Sequence, residues 1–158
     1  MIKVLFICLG NICRSPTAES IFRQQVAAAG LQDKIYIDSA GTSAMHTGKA
    51  PDQRSQATGL KRGYDLSTQK ARQVNTTDLE EFDYLLVMDK SNWQDVQALA
   101  TNVQQQQKIQ LMLSYGTSRL TQVPDPYYGG DAGFEQVVDL LEDSCAALLA
   151  HLQKRHQI

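Results

Sequence analysis

Four short apolar runs punctuate the chain at residues 2–7, 35–38, 84–88 and 108–113, and segments with helical spacing of apolar positions lie between them. The runs are rich in Ile, Val, Leu and Tyr and predict strands. In the first periodic segment, 16–29, Ala18, Ile21, Phe22, Val26 and Ala29 recur at helical spacing, and Gly30 supplies a natural terminator. A second helix is predicted over 52–62, closing at Gly63, and a third begins after Ser91, read as its N-cap. The last, 132–154, carries Phe134, Val137, Val138, Leu141, Cys145, Leu148 and Leu152 in one 3.6-residue stripe. Strands alternating with helices predict an α/β fold: a four-stranded parallel sheet with helices on both faces, joined by right-handed crossovers. Gln104–Gln107 is a polar tract, read as an exposed loop or a helix end.

Size and charge narrow the picture. With 158 residues the chain suits one domain over 1–158, burying roughly two thirds of its unfolded surface. A net charge of −2 with no basic block points away from nucleic acid as a partner. No apolar run reaches the roughly 18 residues of a membrane span and the N-terminus lacks a signal-peptide layout, so the expectation is a cytoplasmic protein with no membrane partner. The three cysteines, an odd number, argue against a disulfide scaffold. Cys145 falls on the long helical stripe and reads as a small core residue.

The chemistry concentrates in Cys8-Leu9-Gly10-Asn11-Ile12-Cys13-Arg14-Ser15, which follows the first strand and opens the first helix. Strand, tight loop and helix start form the order a phosphate-binding loop needs. The amides of residues 9–13 can point inward, the helix adds the positive end of its dipole, and Arg14 offers a bidentate fork to two phosphate oxygens. The same field favours a thiolate at Cys8, and Ser15 can donate a hydrogen bond to the sulfur. A nucleophilic cysteine, five residues, an arginine and a hydroxyl is the pattern of cysteine-dependent phosphatases. Cys13 has two readings: a partner that shields oxidised Cys8 in a disulfide, or a filler of the pocket behind the loop.

Cleaving a phosphate ester also calls for an acid, because the departing oxygen needs a proton. Val123-Pro124-Asp125-Pro126-Tyr127-Tyr128-Gly129-Gly130 supplies one, held between prolines with two aromatics beside it. Tyr127 and Tyr128 can wall a slot for an aromatic substrate. These two motifs, with Asp38-Ser39-Ala40-Gly41-Thr42, Ala71-Arg72-Gln73-Val74, Phe82-Asp83-Tyr84 leading to Met88-Asp89, and Ser91-Asn92, occur in one order. In that order the chain resembles the low-molecular-weight protein tyrosine phosphatases over nearly its whole length.

The resemblance implies a metal-independent, cofactor-free, two-step displacement: Cys8 takes the phosphoryl group while Asp125 protonates the leaving phenol, then Asp125 activates water. Arg14 and the loop amides hold the phosphoryl oxygens. Asn11 braces the loop, and Ser15 and Ser39 share its hydrogen-bond network, although Ser39 reads equally as a strand-end hydroxyl. Asp89 is read either as a carboxylate at the site's edge or as a helix start, the second being preferred. Implied partners are phosphotyrosine proteins, a tyrosine kinase among them, with inorganic phosphate as a competing ligand and a monomer or weakly self-associating state.

Two positions depart from the family pattern. Gln69 stands where many members have a histidine, and Met45, next to His46, stands where relatives often place an aromatic wall. Ile12 is a branched side chain inside the loop, where the similar arginine phosphatases have threonine, and it favours phosphotyrosine over phosphoarginine. Arsenate reduction, the nearest rival activity, uses later thiols, and residues 14–144 contain no cysteine. A non-catalytic phosphotyrosine-binding module would gain nothing from a reactive thiol at Cys8 or an acid at Asp125.

Overall fold

The computed structural model describes residues Met1–Ile158. Strand β1 (Ile2–Cys8) is central, flanked in parallel by β2 (Ile35–Gly41) and β3 (Tyr84–Val87), and β4 (Ile109–Leu111) extends the sheet beyond β3 to give the order β2-β1-β3-β4. Successive residues of β1 face opposite ways, as strand geometry requires. Val4, Phe6 and Cys8 join a core with α1 (Arg14–Ala28) and α6 (Asp131–His156), while Leu5 and Ile7 pack with Leu79, Phe82, Leu85, Val87 and Val96 on the other face. The second face is covered by α3 (Thr76–Glu81) and α4 (Lys90–Gln97), and α2 (Gln53–Lys61) packs against α6. The expected α/β sheet with helices on both faces is therefore the observed one.

The stripe of α6 lies against α1. Leu141, Cys145, Leu148 and Leu152 are fully buried there, and Phe6 meets Phe22 edge to face with ring centroids 5.5 Å apart. No helix is long and apolar enough to cross a membrane.

Because β2 and β3 lie on opposite sides of β1, the connections diverge at its carboxyl end and leave a crevice there. Residues 9–13 occupy it.

Several boundaries differ from those expected. Ser91 is inside α4, not its N-cap: Asp89 caps the helix by accepting the Asn92 N–H, and the Asn92 side chain accepts the Asp89 N–H in return. The polar tract is helical, within α5 (Val103–Lys108), because Asn102 caps it and the buried Gln105 carboxamide accepts both the N–H and O–H of Thr101. The fourth strand stops at Leu111, and Met112–Ser114 tighten into a 3-10 turn. Helix α3 has no apolar stripe to announce it; a reciprocal cap between Asn75 and Asp78 starts it.

Candidate active site

Cys8 ends β1 and is buried. The chain then turns through Asn11 at φ 57°, a left-handed conformation that asparagine tolerates better than most residues. This turn aims the Asn11 N–H at Cys8 Sγ, 3.3 Å away. Ser15, in the first turn of α1, places its hydroxyl 3.0 Å from the same sulfur. The end of β2 presses on the loop from behind: a Cβ at Gly41 would lie 2.7 Å from Leu9 O and 3.0 Å from Asn11 N. Only glycine allows that approach.

A directed chain of hydrogen bonds runs behind the loop. Glu19 accepts from Ser39 Oγ at 2.7 Å, and Ser39 Oγ in turn accepts from Asn11 Nδ2 at 3.0 Å. Asn11 Nδ2 also donates to Ser15 Oγ at 2.8 Å, while Asn11 Oδ1 accepts the Arg72 N–H at 3.1 Å. With a lone pair of Ser15 occupied by Asn11, its own proton is free to point at Cys8, or at Ala40 O at 3.3 Å. Hydrogen bonds donated to a sulfur stabilise its anion.

Asn11, Ser15 and Ser39 thus meet as expected, and Ser39 is part of the network rather than a bare strand-end hydroxyl.

Glu19 and Arg23 are members that sequence reasoning missed. Burial pushes the Glu19 carboxyl upward, opposed by the Ser39 hydroxyl and by Arg23, whose Nε and Nη2 donate to Oε2 at 3.2 and 3.1 Å. The available signal was the spacing Ser15, Glu19, Arg23, four residues apart each time and so on one helical face. Gln69 does not enter this network. Its amide donates to Pro16 O and Ser20 Oγ, each at 2.9 Å, and its buried oxygen has no partner.

Arg14 is 3% exposed and gathers the carboxylates. Its Nη1 donates to Asp89 Oδ2 at 2.7 Å and to Val123 O at 3.0 Å, and its Nη2 lies 3.8 Å from Asp125 Oδ2. Burial alone would lower the guanidinium's affinity for its proton, but the neighbouring Cys8 sulfur, the hydrogen bond to Asp89 and the carboxylates of Asp89 and Asp125 outweigh it. Asp89 starts α4, the preferred reading, and its second oxygen accepts from Arg14 although it stands outside the cavity lining. Asp125 Oδ1 accepts the Tyr127 N–H at 3.0 Å, which leaves Oδ2 as the oxygen turned toward Arg14.

A cavity of about 180 Å³ opens above the sulfur. Cys8, Leu9, Gly10, Ile12, Cys13 and Arg14 form its floor, and Ser43, Met45, His46, Asp125, Tyr127 and Tyr128 complete its lining. His46 is the wall residue the sequence reading left without a role. Asn11, Ser15, Ser39 and Asp89 lie outside the lining and act on it through Cys8 or Arg14. Cys13 is a free, buried thiol whose pKa burial pushes up to about 12. No group of three His, Cys, Asp or Glu side chains is arranged to hold a metal ion.

The arrangement brings a sulfur with hydrogen-bond donors, a cation and a carboxyl group to one small opening, the set required for attack on a phosphate ester and protonation of its leaving group. Residues 3–158 match the family model described as low molecular weight phosphotyrosine protein phosphatase. The chain is 43% identical over 159 residues to the low molecular weight protein-tyrosine-phosphatase YfkJ of Bacillus subtilis, covering 100% of both. It superposes with a TM-score of 0.95 on a protein tyrosine phosphatase from Entamoeba histolytica, at 40% identity and 99% coverage of each chain. An arginine phosphatase from Drosophila gives a TM-score of 0.89 at 34% identity, covering 96% of this chain and 98% of the other. With a match of the family model over nearly its whole length, the chain belongs to the low molecular weight phosphotyrosine protein phosphatases.

Proposed function

We propose that this protein hydrolyses phosphotyrosine and small aryl phosphates through a cysteinyl-phosphate intermediate, with Cys8 as nucleophile, Arg14 as phosphate clamp and Asp125 as acid and base. The observation that carries this reading is the convergence of Cys8, Arg14 and Asp125 on one cavity, with the Asn11 N–H and Ser15 hydroxyl on the sulfur.

In the first step the Cys8 thiolate forms an S–P bond as the P–O bond to the phenol breaks. Asp125 gives its proton to the departing oxygen from Oδ2, since Oδ1 is engaged by the Tyr127 N–H. In the second step the Asp125 carboxylate takes a proton from water, whose oxygen attacks phosphorus and returns the thiolate. Arg14, held by Asp89 and Val123 O, presents its remaining N–H groups to the transferring oxygens.

Ile12, Met45, Tyr127 and Tyr128 make the mouth apolar and suit it to a phenyl ring. Ile12 in the floor crowds a branched guanidine, so phosphotyrosine is favoured over phosphoarginine. The substrates in this reading are phosphotyrosine proteins, a tyrosine kinase among them, and inorganic phosphate competes for the loop. Residues 1–158 act as one catalytic domain that is monomeric or self-associates weakly. Three free thiols and a thiolate-dependent reaction suit a reducing, cytoplasmic setting. Oxidation of Cys8 by peroxide, followed by a Cys8–Cys13 disulfide, would make the enzyme redox-sensitive; the high pKa of Cys13 makes closure slow.

The test is a pair of variants. Cys8→Ser abolishes turnover of p-nitrophenyl phosphate while retaining vanadate binding, and Asp125→Ala lowers kcat/KM for phenyl phosphate roughly 100-fold or more, with a much smaller loss for activated esters. Full activity of Cys8→Ser, or equal losses for both ester types in Asp125→Ala, would overturn the assignment.

A further inference from the structure

The segment that carries Asp125 is tied by backbone hydrogen bonds only at its two ends, Val123 and Gly130. Val123 donates its N–H to Met88 O and accepts from Arg14, and Gly130 accepts from Gly133 N at the start of α6, but no backbone hydrogen bond joins residues 124–129 to any other element. The bonds within the segment are local: Gly129 N to Pro126 O, and Tyr127 N to Asp125 Oδ1. Two prolines stiffen it, yet stiffness does not aim it. Catalysis by a positioned acid is sensitive to ångström-scale displacement, so something must set its angle over the sulfur.

Arg54 meets that need from a different element. It lies in the first turn of α2, outside the lining of the cavity. Its guanidinium stacks over the ring of Tyr127 at 5.2 Å and over the ring of Phe134 at 4.8 Å. Phe134 is buried in the first turn of α6, immediately after the acid-bearing segment, so one planar group spans that segment and the core. The other edge of the guanidinium is anchored: Nε and Nη2 donate to the two oxygens of Asp52 at 3.2 Å each. Asp52 in turn donates its backbone N–H to Ile12 O, inside the phosphate loop, at 2.8 Å.

We infer that Arg54 is a positioning residue for Asp125, linking the phosphate loop to the acid-bearing segment through Asp52 on one side and Tyr127 on the other. This rests on the assignment of Asp125 as general acid. The link is direct, because the amide of the residue that Arg54 stacks on is the one bonded to the Asp125 carboxyl. Loss of the stack lets Tyr127 and the carboxyl drift together, while the sulfur, Arg14 and their hydrogen bonds remain in place. An exposed arginine with only a structural role would affect all substrates alike.

The experiment measures kcat/KM for aryl phosphates that span poor to good leaving phenols, in wild type, Asp125→Ala, Arg54→Ala and Arg54→Lys. Arg54→Ala is expected to lose roughly 10- to 100-fold with phenyl phosphate and about threefold or less with p-nitrophenyl phosphate, with vanadate inhibition unchanged. Arg54→Lys keeps the pair with Asp52 but lacks the planar face, so it steepens the leaving-group dependence in the same direction by less; it also carries the test if the alanine variant does not fold. In an Asp125→Ala background, Arg54→Ala adds no further dependence. A steep dependence in Asp125→Ala with an unaltered or uniformly reduced series in both Arg54 variants overturns the positioning role alone. A flat series in Asp125→Ala overturns the acid assignment and the role of Arg54 with it.

Discussion

Hydrogen-bond direction at single residues decides how Cys8 is presented. Ser39 donates to Glu19 and accepts from Asn11, whose second amide proton then satisfies Ser15. Reversing the first member disturbs the rest. Glu19→Gln introduces a donor facing Ser39, and kcat/KM is expected to fall roughly tenfold for good and poor leaving groups alike, since the sulfur rather than the acid is affected. The pH dependence of stability gives an independent readout. Burial holds the Glu19 carboxyl above its ordinary value, so folding favours the protonated form. That contribution is fully present below the unfolded value of about 4.3 and is lost as pH rises through the folded value. Relative to Glu19→Gln, wild type should therefore lose stability across that window; urea unfolding at several acidic pH values measures it, and parallel curves would remove the burial cost assigned to Glu19. The four-residue spacing of Ser15, Glu19 and Arg23 was the one trace of this in the sequence, and it is weak because a glutamate one helical turn from Ser15 looks like an ordinary surface residue.

At the scale of elements, helix starts are used twice over. Asp89 ends the turn after β3, caps α4 with one oxygen and holds Arg14 with the other. The two roles separate by substitution: Asp89→Asn and Asp89→Ala both remove the shorter of the two ionic contacts of Arg14 and both lower kcat/KM, but only alanine also removes the cap. The alanine variant should be less stable than the asparagine variant by about 1 kcal/mol, or about 2–4 °C in Tm. Equal melting temperatures would mean the cap contributes little. The long elements were legible from spacing, α1 and α6 to within two residues at each end. The short ones were not. Helices α3 and α5 are six residues each, too short for a stripe, and exist because side-chain caps and tertiary contacts offset a poor intrinsic tendency.

Across the whole molecule, two layers of helices fix the sheet, and the sheet fixes the site only at its carboxyl edge. The core packed by α1 and α6 reaches Cys8 at the end of β1 but does not include Asp125, on which the leaving-group dependence rests. Leu141→Ala, at a fully buried position in that layer, is expected to cost about 2–5 kcal/mol while leaving the dependence of kcat/KM on the leaving group unchanged at temperatures where the fold persists. Denaturant unfolding together with the aryl phosphate series tests both halves; an altered leaving-group dependence would show that the packing of α6 also aims the Asp125 segment it follows.

The chain on its own determined the α/β class, the succession of the four strands and the longer helices, the loop from Cys8 to Ser15 and the candidacy of Asp125, because each is written in local spacing or in residue types whose chemistry is distinctive. Only the tertiary structure decided how Glu19, Ser39 and Asn11 connect, that Asp89 serves Arg14 as well as α4, and that Arg54 spans Tyr127 and Phe134. Those contacts join residues up to 80 positions apart. Nothing in the sequence near either partner marks the other; folding brings them together when strands from separate parts of the chain pair side by side.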